Sequence, residues 1–108
     1  MQTQIITKRD DFLVRRLVLE PGEAMPWHRD TCHRFSVVVR GDELTIEMRD
    51  TGERDTFAVH PGLADWDCPQ PRVHRGVNSG TSTYEEVVLF FLDPPGIEPQ
   101  PEETVAAC

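Results

Sequence analysis

The sequence predicts a single all-β domain, a jelly-roll barrel of about eight strands. Three observations predict it. Helical periodicity is missing, since no segment keeps apolar residues at i, i+3, i+4 and i+7 over three turns. Short stretches rich in β-branched and aromatic residues recur instead. Turn chemistry separates them at spacings of roughly 8–12 residues. A length of 108 residues suits one domain and not two.

The elements follow in order. Residues 4–7 are the first candidate strand. Residues 12–19 are a dense apolar run, expected to be buried on both faces. Pro21-Gly22 reverses the chain into a short strand at 25–28. Residues 35–39 are again dense and end at Arg40-Gly41-Asp42. Leu44, Ile46 and Met48 then alternate with Thr45, Glu47 and Arg49, which reads as a strand with one dry face. Asp50-Thr51-Gly52 leads to a strand at 56–59, and Pro61-Gly62 to one at 64–67. Residues 73–77 follow, then the turn Asn78-Ser79-Gly80, then a last dense run at 87–92. Phe35, Val37 and Val39 share one face, opposite Arg34, Ser36 and Val38. Val87, Leu89 and Phe91 likewise oppose Val88, Phe90 and Leu92. A small barrel has one interior, so an apolar outer face needs a second layer or a partner subunit.

Charge divides the chain into a domain at 1–92 and a tail at 93–108. The formal net charge is −8. Asp93, Glu98, Glu102 and Glu103 carry half of it, with no base beside them. Pro94, Pro95, Pro99 and Pro101 lie in the same stretch, which is expected to be extended or disordered. An acidic balance opposes nucleic-acid and anionic-membrane partners. No apolar run approaches the roughly 20 residues of a membrane span. Residues 1–11 lack an export-signal core, so a cytoplasmic protein is expected. Cys32, Cys68 and Cys108 include no Cys-x-x-Cys, which favours reduced thiols over a Cys32–Cys68 bridge.

Two stretches carry the chemistry. The first runs Gly22, five residues, His28-Arg29-Asp30, three residues, Arg34, six residues, Gly41. The second is Pro69-Gln70-Pro71, two residues, His74, three residues, Asn78. Together they resemble the two motifs of the cupin superfamily. The first family motif is Gly, five residues, His-x-His, three or four residues, Glu, six residues, Gly. The second ends in Pro-x-Gly, two residues, His, three residues, Asn. Gly22, His28, Gly41, Pro69, His74 and Asn78 match. Asp30 stands for the second His, Arg34 for the Glu, and Pro71 for the Gly. The resemblance covers residues 12–92.

The resemblance implies a barrel pocket holding a divalent transition metal: Fe, Mn, Zn, Ni or Cu. His28, Asp30 and His74 are the implied ligands, and oxygenase, isomerase or lyase chemistry on a small polar or acidic substrate is the implied activity. It also implies a two-fold homodimer that trades N-terminal strands, with residues 4–7 as the candidate. The residues supply an independent check. His28 and Asp30 are two apart, so both leave one face of a strand. Two imidazoles and a carboxylate are a known ligand set with open positions. Arg34 opposes this, because a permanent cation repels a metal and pairs with Asp30. A metal-free binding or sensing module, with Arg34 holding a ligand carboxylate, is the second reading. A structural homodimer without chemistry is the third. Arg34 discriminates: pairing with Asp30 inside the pocket weakens the enzyme reading, and an outward turn restores it. Trp66 and Cys68 are further candidate ligand-binding residues beside the pocket. His33 has odd parity to His28 and is expected to face outward. His60 is expected in a solvated turn. Glu85 and Glu86, adjacent on a strand, must face opposite ways.

Overall fold

The computed structural model describes residues 1–92. The tail expected at 93–108 lies outside the described residues. Within them run nine strands: β1 (Gln2–Lys8), β2 (Phe12–Leu19), β3 (His28–Asp30), β4 (His33–Arg40), β5 (Glu43–Met48), β6 (Arg54–Ala58), β7 (Ala64–Asp67), β8 (Gln70–Val77) and β9 (Tyr84–Phe91). They form two antiparallel sheets, a five-stranded one in the order β1-β2-β9-β4-β7 and a four-stranded one in the order β3-β8-β5-β6. This is the two-layer, all-β jelly roll expected. No helix of the described residues is long and apolar enough to cross a membrane.

Alternation places one residue in two toward the space between the sheets. Arg15, Arg34, Ser36, Val38, Glu86 and Val88 reach it from the five-stranded sheet. His28, Asp30, Leu44, Ile46, Met48 and His74 reach it from the four-stranded one. Apolar side chains pack around it in two buried clusters. Leu13, Cys32, Val88, Phe90 and Leu92 form one buried cluster. Leu17, Leu19, Val38 and Tyr84 form the other, with Met25, Leu44, Val59 and Leu63 against it. Gly41 shows why the first motif closes on glycine. Its φ is 142°, and a Cβ there would lie 2.9 Å from the Tyr84 ring.

Several expectations change. The strand expected at 25–28 begins at His28, while Ala24 makes only an isolated bridge to Val77. The dense apolar runs are not buried on both faces within one chain. Phe35, Val39 and Phe91 are exposed, and among the described residues no second layer covers the outside of the five-stranded sheet. On β5, Thr45 is fully buried rather than wet. Its hydroxyl meets those of Thr56 at 2.9 Å and Ser79 at 2.8 Å, which satisfies it. Cys68 is a free thiol, so no bridge joins it to Cys32, and Cys32 is itself disulfide-bonded rather than reduced. β1 pairs in cis with β2, and all seven of its residues are exposed.

Candidate functional site

The space between the sheets is a cavity of about 700 Å³, within the range of small-molecule sites. Its polar centre is Asp30, which is buried. His28 and His74 are direct partners across the β3–β8 ladder, and their rings lie 4.6 Å apart. Each ring is oriented by its own strand. The His28 Nδ1–H donates to the Pro26 carbonyl at 2.7 Å, and the His74 Nδ1–H donates to the Arg72 carbonyl at 2.8 Å. Both Nε2 atoms therefore turn toward Asp30, at 3.5 Å for His28 and 2.6 Å for His74. In His74 both ring nitrogens then face oxygen acceptors, which requires the imidazolium form.

Arg34 reaches the same carboxylate. Its Nη1 lies 2.7 Å from Asp30 Oδ2, and its Nη2 lies 3.7 Å from Asp67 Oδ2. The first contact is a charge pair rather than an aligned hydrogen bond, since Nη1 is buried without a properly directed acceptor. Burial alone would raise the Asp30 pKa. The hydrogen bonds from His28 and His74 and the charge of Arg34 overcome this and hold the carboxyl well below its usual range. Burial likewise opposes charge on His74, but the Asp30 bond and the Arg72 carbonyl win and raise its pKa.

Geometry sorts the sequence candidates. His28, Asp30, Arg34 and His74 converge in the cavity, and Cys68 lines it. Trp66 does not belong there. Asp65 and Asp67 take the inward positions of β7, so Trp66 points outward, exposed, against His33 at 6.0 Å and Phe91 at 5.1 Å. His33 and His60 are exposed. Asn78 is a structural clasp. Fully buried, it donates to the Leu19 and Ser82 carbonyls at 2.9 Å each and accepts from Gly80 N–H at 3.0 Å.

Two cavity residues escaped the sequence reading. Arg15, from the middle of β2, lies with its guanidinium carbon 4.8 Å above the Phe90 ring, and its buried Nε has no acceptor. Glu86, from β9, accepts from the Tyr84 hydroxyl at 3.1 Å, and burial pushes its carboxyl pKa upward. Parity was the available signal. Leu13, Arg15, Leu17 and Leu19 share the inward face of β2, and one of the adjacent pair Glu85–Glu86 had to point in. Glu85 is the outward one, paired with Arg16 at 2.8 Å and Arg40 at 2.9 Å.

The donor types of His28, Asp30 and His74 suit a divalent metal, and their ligand atoms lie within 4.8 Å of one another. Their arrangement does not suit one. His74 Nε2 is engaged with Asp30 Oδ2 at 2.6 Å, a contact an ion would have to displace. Arg34 holds a positive charge on the carboxylate the metal would use.

No family model matches the sequence, and no curated protein matches it as a relative. Solved structures do match the fold. A cupin domain from Bordetella pertussis Tohama I superposes with a TM-score of 0.74 at 16% identity, over 84% of this chain and 92% of that one. An RmlC-like cupin with a double-stranded β-helix fold from Methanocaldococcus jannaschii gives 0.68 at 19%, over 86% and 81%. An oxalate oxidase gives 0.58 at 22%, over 80% of this chain and 44% of that one. At these identities the likeness is one of architecture: the chain has the cupin fold.

Proposed function

We propose that this cupin-fold chain is a metal-free small-molecule-binding protein whose barrel takes a small carboxylate ligand on Arg34. The observation that carries the reading is the position of Arg34. Its guanidinium enters the cavity, sits on Asp30, and keeps a buried N–H without an aligned acceptor. A ligand carboxylate would supply that acceptor in the fork geometry guanidinium prefers. Asp30 and His74 then act as the brace that aims Arg34. No catalytic step is assigned to them.

Elemental analysis of the purified protein, before and after incubation with Fe, Mn, Zn, Ni and Cu, tests the metal-free reading. Less than about a tenth of an equivalent is expected. Near-stoichiometric metal that disappears in His74→Ala would restore the two-His–one-carboxylate enzyme. Isothermal titration with butyrate tests the ligand. Binding that Arg34→Gln abolishes is expected, and no binding to folded wild type would refute the reading.

The same proposal includes a two-fold homodimer through the outside of the five-stranded sheet. Trp66 (57% exposed), Phe35 and Phe91 form an apolar patch there, and Ile5 and Ile6 on β1 are half-exposed. Sedimentation at micromolar concentration is expected to give a two-copy species, and Trp66→Ser to shift it toward one copy. A single-copy wild type would overturn the pairing.

A further inference from the structure

We infer that the ligand is a small dicarboxylate, held at one end by Arg34 and at the other by Arg15; this rests on the carboxylate-binding reading above. Among the described residues, the buried side-chain nitrogen and oxygen atoms without a hydrogen-bond partner are two, Arg15 Nε and Arg34 Nη1. Both belong to guanidinium groups, and both residues line the same cavity. Arg34 Nη1 has the Asp30 charge beside it but no aligned acceptor, and Arg15 Nε has neither an ion pair nor a hydrogen bond. Folded proteins rarely leave buried donors in this state, and two guanidinium groups around one space point to a shared class of acceptor.

Arg15 also makes no ion pair among the described residues. Glu86, Asp30 and Arg34 are the charged groups that act on it across the cavity. Asp30 is already engaged by His74 and Arg34, and Arg34 is itself a cation. Glu86 makes no ion pair with Arg15 among the described residues, and its carboxyl accepts from Tyr84. A guanidinium packed on an aromatic ring for purely structural reasons would spend its N–H groups on carbonyls or on solvent. The Arg15 Nε has neither.

Guanidinium groups and shape select the ligand. Asp30, Asp65, Asp67 and Glu86 line the cavity beside Arg15, Arg34 and His74, so the total charge does not choose between a monoanion and a dianion. The two guanidinium groups do, since each can take one carboxylate. The cavity also has an apolar wall, with Met25, Val38, Leu44, Ile46 and Leu63 lining it. A short methylene chain between two carboxylates suits such a wall.

The test is isothermal titration of the full chain with butyrate, succinate and glutarate, for wild type, Arg15→Gln and Arg15→Lys. One of the two dicarboxylates is expected to bind at least about tenfold tighter than butyrate. Arg15→Gln should remove that preference while butyrate binding persists, which also shows that the variant is folded. Arg15→Lys should fall between, keeping the charge but losing the fork. Equal affinity for all three acids in wild type, or an unchanged preference in Arg15→Gln, overturns the inference and leaves the Arg34 reading intact. Failure of all three acids to bind the folded wild type overturns the Arg34 reading itself.

Discussion

Asp30 and Arg15 are charged groups in one cavity, and they are held in opposite ways. Asp30 is crowded with partners: His74 at 2.6 Å, Arg34 at 2.7 Å and His28 at 3.5 Å. Arg15 has a ring beneath it and no ion pair or hydrogen bond for its buried Nε. The desolvation of Asp30 is offset inside the protein, so this group belongs to the stability of the barrel. The desolvation of Arg15 is offset only in part, by the charges of Glu86 and Asp30 at a distance and by the Phe90 ring. A group kept in that condition is better explained by what it receives from outside. One cavity therefore holds a structural knot and an open socket, and each can be tested by removing its central residue.

Asp30→Asn is expected to have the largest effect. It keeps the shape of the side chain but leaves His74 and Arg34 buried without their shared anion. Removing one partner of a buried ionic group typically costs about 3–5 kcal/mol. Urea unfolding at pH 6 measures it. A loss below about 1 kcal/mol would show that solvent reaches the knot and that the two groups do not differ.

The next effect is a pH dependence. The Asp30 carboxyl has a depressed pKa, so its contribution is present above its unfolded value near 3.8 and is lost as pH falls below it. His74 has a raised pKa. Its contribution is complete below the ordinary value of 6.5 and is lost as pH rises through the folded value. The difference in stability between wild type and Asp30→Asn should therefore be greatest between about pH 4 and 6.5 and shrink on either side. Glu86 has a raised pKa through burial, so wild type should also lose stability as pH rises from the ordinary value of 4.5 to the folded value, because the unfolded chain ionises first. Glu86→Gln should flatten that loss and leave the limb below pH 4 unchanged. A loss with rising pH that is unaffected by Glu86→Gln would assign it to His74 alone.

The two groups also differed in how far the sequence revealed them. The barrel was legible because its turns are punctuated by Pro, Gly, Asn and Asp, and because β5 alternates openly. His28, Asp30, Arg34 and His74 were legible because they sit at fixed motif spacings, and of the two placements open to Arg34 the one paired with Asp30 is observed. Arg15 has no motif around it. It lies in the run Leu13-Val14-Arg15-Arg16-Leu17, where two adjacent arginines resemble a break in an apolar strand rather than one charge in and one out. Arg16 goes out to Glu85, and Arg15 goes in. Trp66 failed in the reverse sense. It stands next to the motif in sequence, but the parity of β7 gives the interior to its neighbours Asp65 and Asp67. Nearness in sequence does not set a side chain's face; register does.

The smallest expected change in stability is the one that best separates socket from knot. Arg15→Met keeps a long, flexible apolar stem over Phe90 and removes the guanidinium with its unmet Nε. If the charge served the fold, its loss would cost as much as the loss of other buried ionic partners. If it awaits a ligand, removing it relieves a desolvation that is offset only in part. Without ligand, the variant should then be as stable as wild type or more stable by about 1 kcal/mol. Urea unfolding in a carboxylate-free buffer measures this. Saturating dicarboxylate should reverse the order, because it stabilises wild type by mass action and the variant far less. A loss of about 3 kcal/mol or more without ligand would place Arg15 beside Asp30 as part of the barrel's own scaffold.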